Sequence, residues 1–67
     1  MDWNKWNGKR IFVQLKTGAV YSGVVEEVAD VGDGHIFISI TDKFGQWITF
    51  VVNEIIKIKE EAENDKD

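Results

Sequence analysis

Between Arg10 and Lys59 apolar residues recur at every second position in five short bursts, each separated from the next by turn-forming residues. That period marks β-strands, whose successive side chains point to opposite faces. In Arg10-Ile11-Phe12-Val13-Gln14-Leu15, Ile11, Val13 and Leu15 share one face and Arg10, Phe12 and Gln14 the other. Lys16-Thr17-Gly18 has the length of a hairpin turn. A second strand runs from Ala19 to about Val28, with Gly23 in its interior, where a missing side chain permits a bend or the close packing of another backbone. Val25 and Val28 lie three apart, so the alternation slips and a bulge is expected there. Ala29 to Gly34 is the longest polar break, expected as a mobile loop. Ile36, Ile38 and Ile40 line one face of a third strand, with Phe37 and Ser39 turned away. Lys43-Phe44-Gly45-Gln46 turns the chain into a fourth strand, Trp47 to Val52, with Ile48, Phe50 and Val52 on one side. Asn53-Glu54 is a short break before the fifth strand, Ile55 to Lys59.

Ahead of the strands, Trp3 and Trp6 lie three apart, as on one side of a helical turn that Asp2 caps and Gly8 ends. Five strands in so short a span do not fill a two-sheet sandwich. The expected fold is all-β: a short N-terminal helix followed by a five-stranded, strongly bent antiparallel small barrel.

Several strands are apolar on both faces. Val20 and Val24 oppose Tyr21 and Val25, Phe37 opposes Ile36 and Ile38, and Trp47 and Val51 oppose Ile48 and Phe50. A sheet with one solvated face shows polar residues there. The chain has 67 residues, no Cys and a single His, so neither a disulfide nor a thiolate metal site reinforces a small core. Joining of copies through sheet edges is the preferred way to cover the surplus. The alternative is that Trp3 and Trp6 cover it within one copy.

The formal charge of −4 is localised. Residues 60–67 hold five acids and one base, whereas residues 1–59 hold seven of each. We therefore divide the chain into one folded domain, 1–59, and an acidic, disordered tail, 60–67. No apolar run approaches the ~20 residues of a membrane span and the first residues lack the apolar core of a signal peptide, so a soluble, cytoplasmic chain without membrane contact is expected. Lys5, Lys9 and Arg10, interleaved with Trp3, Trp6 and Phe12, form the one local basic cluster. It could follow a phosphate backbone while an aromatic ring stacks on a base, or the rings could be core and the cations ordinary surface. Asp30, Asp33 and Asp42 do not follow the order of a calcium loop. Glu26 and Glu27 are neighbours on a strand and face opposite ways unless the bulge separates them. With no catalytic constellation and no cofactor motif, an enzyme is not expected.

Two stretches carry a family resemblance. Val13-Gln14-Leu15-Lys16-Thr17-Gly18-Ala19-Val20-Tyr21-Ser22-Gly23-Val24-Val25 resembles the first signature of the Sm-like (LSm) family: apolar, any residue, Leu, a polar turn with Gly, an aromatic or apolar residue, then Gly-x-apolar. Phe50-Val51-Val52-Asn53-Glu54-Ile55-Ile56-Lys57-Ile58 resembles the second, in which a short loop ends in the Ile that starts the last strand. The resemblance implies a bent five-stranded barrel whose fourth strand joins the fifth strand of the next copy in a hexameric or heptameric ring. It also implies binding of single-stranded, uridine-rich RNA near the pore. His35, or Gly34 one residue earlier, stands where the family has a base-reading Asn. Val51-Val52 stands where it has a cationic Arg-Gly pair, which leaves Asn53 as the polar group of that loop. The RNA-binding candidates are thus His35, Gly34, Asn53, Lys9 and Arg10, with no catalytic or metal-binding residue. Plain alternatives stand beside them: an exposed loop His at a strand start, and an Asn serving turn geometry. The competing function is a small-barrel protein-interaction or structural module without RNA binding.

Overall fold

The computed structural model describes residues 3–61. Trp3–Trp6 forms a 3-10 turn, followed by β1 (Arg10–Leu15), β2 (Val20–Asp30), β3 (Ile36–Thr41) and β4 (Trp47–Val51). A second 3-10 turn, Val52–Glu54, leads into β5 (Ile55–Glu60). The strands make one antiparallel sheet in the order β4-β3-β2-β1-β5.

The period-two reading holds along β1, where Ile11 and Val13 are fully buried between half-buried Phe12 and Gln14. The hairpin to β2 is closed by Gly18 at φ 95°, and the amide of Leu15 donates to Ala19 O at 2.9 Å. Gly18 is needed there because a Cβ in the left-handed region is strained. β2 is shared between two partners. Its first half pairs with β1 up to Arg10↔Val24, and its second half pairs with β3 from Val24↔Thr41 onward. Gly23 sits just before this changeover, and a Cβ on it would lie 2.5 Å from the carbonyl oxygen of Thr41. The close backbone approach expected at that glycine is present.

The slip between Val25 and Val28 is a bulge: Val25 pairs with Ile40 but Glu27 with Ser39, leaving Glu26 extra. Glu26 and Glu27 are consequently both exposed instead of facing opposite ways. The same three-residue slip recurs between Ile55 and Ile58, where the β1–β5 register shifts and Ile56 is 58% exposed. Bulges add local twist, and twist curls the sheet. Tyr21 on β2 reaches Phe50 on β4 across the concave side, ring centroids 6.1 Å apart, although β3 lies between those strands. Ile11, Val13, Val25, Ile38, Ile40, Phe50 and Val52 form the core inside this curl.

One expectation is corrected. The sheet is not closed into a barrel: β4 and β5 are its two margins and do not pair with each other. The three-residue turn Val52–Glu54 carries the chain from Val51, opposite Phe37, to Ile55, opposite Leu15, and so crosses from one margin to the other. The short N-terminal helical turn is present as a 3-10 turn, Trp3–Trp6; the expected cap Asp2 lies outside the described residues. Its Trp3 and Trp6 are half-buried against the core, so part of the apolar surplus is covered within one copy. Ser39 faces away from Ile38 and Ile40 as expected and is nevertheless buried, its hydroxyl 2.8 Å from that of Thr49 on β4.

The sheet continues one residue past Lys59. β5 includes Glu60, the amide of Glu61 donates to Arg10 O at 2.9 Å, and the Ser22 hydroxyl donates to Glu61 Oε1 at 2.6 Å. The remainder of the acidic segment, 62–67, lies outside the described residues. Among the described residues no helix is long and apolar enough to cross a membrane.

Candidate nucleic-acid interface

Gly34 and His35 belong to the connection between β2 and β3, which is tighter than the open loop expected for 29–34. β2 continues to Asp30, and five residues, 31–35, make the turn. Asp30 Oδ1 accepts from the Gly32 amide at 2.9 Å, and Val31 and His35 are joined by a 3.0 Å bond from Val31 N to His35 O. Gly32, Asp33 and Gly34 all have positive φ, at 93°, 57° and 76°. Gly and Asp tolerate that region far better than bulkier residues, so the composition of this stretch sets the shape of the turn. The backbone of His35 is bonded on both sides while its side chain is exposed. An imidazole held this way offers a flat face and a polar edge to solvent.

Asn53 lies in the second 3-10 turn, exposed between buried Val52 and the exposed Glu54. The turn is anchored by Val52 in the core, by the Ile55 amide donating to Val52 O, and by the Lys16 amide donating to Glu54 O at 2.8 Å. Val51 and Phe37 face each other across β4 and β3; Asn53 follows the first by two residues and His35 precedes the second by two. The fold therefore brings Gly34, His35 and Asn53 to one end of the sheet. The charges carried by these turns are Asp30, Asp33 and Glu54, with Lys16 beside Glu54. Phosphates approaching here meet more anions than cations.

Lys9 and Arg10 lie elsewhere. Arg10 opens β1 opposite Val24, and five residues at ~3.3 Å each, about 16 Å of strand, separate it from the Leu15 end beside the second 3-10 turn. Lys9 Nζ is 3.8 Å from Glu60 Oε2 in an exposed pair of the kind worth ~0–1 kcal/mol. The aromatics interleaved with this basic cluster are in use already. Trp3 and Trp6 pack on the core, Lys5 Nζ lies 5.1 Å from the Trp6 ring, and Phe12 is covered by Lys59 Nζ at 5.7 Å. The five candidate residues thus form two groups, not one surface.

A feature that the sequence reading passed over lies on the Arg10 side. An open cleft of about 270 Å³ is lined by Arg10, Val20, Tyr21, Ser22, Asp42, Lys43, Phe44 and Ile48. Its rim is the β3–β4 turn, in which Asp42 Oδ1 accepts from the amides of Phe44 and Gln46, both at 2.9 Å, and Gly45 takes φ 80°. Phe44 is 77% exposed on this tied-down turn, with Lys43 Nζ 5.4 Å from its ring. The available signal was Lys43-Phe44-Gly45, a large aromatic placed where turn chemistry asks for none. Among the described residues no three His, Asp or Glu side chains gather as a metal-binding set. Compared with protein families, curated proteins and solved structures, the chain matches none.

Proposed function

We propose that the protein is a non-catalytic, Sm-like RNA-binding protein of the cytoplasm that joins copies of itself into a ring. Single-stranded RNA is held where Gly34, His35 and Asn53 stand, and Lys9 and Arg10 take phosphates farther out. The observation that carries this reading is the pair of free margins. β4 and β5 each have a neighbour on one side only, and each leaves a row of backbone donors and acceptors open. Each also exposes an apolar residue, Trp47 at 59% and Ile56 at 58%. Adding β4 of one copy to β5 of the next satisfies both rows, and its head-to-tail repetition closes into a ring. Repetition in turn lets a weak contact at each His35 and Asn53 act many times on one strand of RNA.

The second reading, a protein-interaction or structural module, is favoured by a different observation: Asp30, Asp33 and Glu54 flank the His35 end, and Val51-Val52 supplies no cation there. Two measurements decide between them. Light scattering should give a mass several times the 7.7 kDa chain, whereas a monomer at high concentration removes the ring. Labelled oligo-uridine and oligo-adenine, titrated across a salt series, should bind with a base preference at low salt. No binding at low salt leaves the protein-interaction module standing.

A further inference from the structure

We propose that Asn7 is a self-modification site: the Gly8 nitrogen displaces its side-chain amide at a rate set by opening of the N-terminal turn, and the isoaspartate formed no longer lets that turn redock. Of the four asparagines, Asn4, Asn7, Asn53 and Asn64, only Asn7 precedes a glycine. Its side chain is exposed. A glycine has no Cβ to hinder the approach of its own nitrogen to the neighbouring carboxamide. The fold itself asks for that neighbour, since Gly8 stands at φ 82°, a conformation that residues with a Cβ rarely adopt.

The chemistry needs only water. The Gly8 nitrogen gives up its proton to solvent hydroxide and bonds to Cγ of Asn7. The Cγ–Nδ2 bond breaks, and Nδ2 leaves as ammonia with a proton taken from water. A five-membered imide remains. Water then opens one of its two carbonyls. One opening gives an aspartate; the other gives an isoaspartate, whose main chain runs through the former side-chain methylene. Either product carries a new negative charge.

In the closed fold the attacking nitrogen is engaged. The Gly8 amide donates to Val25 O at 2.9 Å. The peptide bond between Asn7 and Gly8 also lies within a tight turn, with the Asn7 amide donating to Asn4 O at 3.0 Å and the Lys9 amide to Trp6 O at 2.9 Å. Attack therefore waits for the segment to lift from β2, a local opening that the packing of Trp3 and Trp6 on the core opposes. Trp6 also eases it: Nε1 is buried with no partner among the described residues, and water satisfies it once the turn is open. The step is then one-way. The imide nitrogen has no hydrogen to return to Val25 O, and the isoaspartate lengthens the main chain by one carbon inside the turn that Lys9 and Trp6 close.

The test holds wild type and Asn7→Gln, whose longer side chain does not form the five-membered ring, in mildly alkaline buffer, both folded and in urea. Peptide mapping by mass spectrometry, with separation of aspartate from isoaspartate, follows each asparagine. In urea Asn7 should convert before the other three; an intact Asn7 while they react overturns the site. In the folded protein conversion should be slower by about tenfold or more. That factor should match, within about threefold, the protection of the Gly8 amide in hydrogen exchange, because both reactions await the same opening. Equal rates folded and in urea, or a slowing unrelated to the Gly8 protection, overturn the gate. As isoaspartate accumulates, tryptophan emission should move to longer wavelength and exchange at the Lys9 amide should quicken, while Asn7→Gln keeps both constant. Emission and exchange that stay unchanged after full conversion overturn the undocking.

Discussion

The three atoms nearest to a methyl group at Gly23 would all be backbone. In Gly23→Ala the new Cβ would stand 2.5 Å from Thr41 O, 2.9 Å from Thr41 C and 3.2 Å from Asp42 Cα. None of these atoms belongs to a side chain that can rotate away. Relief requires β2 and β3 to separate by several tenths of an ångström, beside the Val24↔Thr41 pair where β2 passes from one partner to the other. Overpacking of this kind costs ~1–3 kcal/mol. Against it stands the reduced entropy of the unfolded chain on replacing Gly by Ala, ~0.4–1 kcal/mol. The net expectation is a loss of about 1–2 kcal/mol, read as a fall of about 5–15 °C in thermal midpoint for a domain of this size. Circular dichroism melts of both proteins at one matched concentration would measure it, since assembly makes the midpoint depend on concentration. Gly18→Ala, at φ 95° with no atom within 4 Å of the new Cβ, is the companion: its cost is backbone strain alone. If Gly23→Ala melts at or above the wild-type temperature, the tight β2–β3 contact is not a determinant of this fold.

Ile56→Lys places a charge on the exposed bulge of β5 and should reduce the mass seen by light scattering to one chain while leaving the circular dichroism spectrum intact; an unaltered assembly removes β5 from the interface. His35→Ala should weaken oligo-uridine binding by about fivefold or more in the anisotropy titration if the ring stacks on a base, and unchanged affinity rejects that role. Trp6 Nε1 is buried with no hydrogen-bond partner among the described residues, an arrangement that costs ~1–3 kcal/mol. Trp6→Phe should therefore melt within about 1 kcal/mol of wild type or above it, whereas Trp6→Ala, which empties the ring's place against the core, should lose ~2 kcal/mol or more.

What the sequence made legible was local. Strand faces follow from alternation, the bulge at Glu26 from the three-residue step between Val25 and Val28, and the role of Gly23 from its place inside a strand. The step between Ile55 and Ile58 carried the same information for the bulge at Ile56. Closure of the sheet was not legible, because it depends on how far two bulges and one close contact curl five strands, a sum that no short window contains. The partner of Glu61 was hidden for a related reason. Glu61 looks like part of an acidic tail until Ser22, 39 positions earlier, supplies its partner. The candidate residues were identified one at a time, and only strand register shows that Arg10 and His35 sit at different ends of the fold. Phe44 was read as part of a turn, since exposure of a ring cannot be inferred from its neighbours in the chain.

The first and last strands lie side by side and run in opposite directions, with Arg10 and Glu61 joined at the corner where the strand run begins and ends. A force applied between the two ends of the chain would thus load the β1–β5 hydrogen bonds one after another, as a zipper is opened, instead of shearing them all at once. Tension would peel β5 from β1 starting at that corner and working toward Leu15, so the molecule should yield mechanically at forces well below those of a sheet pulled along its strands. Anchoring that margin to a second copy would protect the weakest seam.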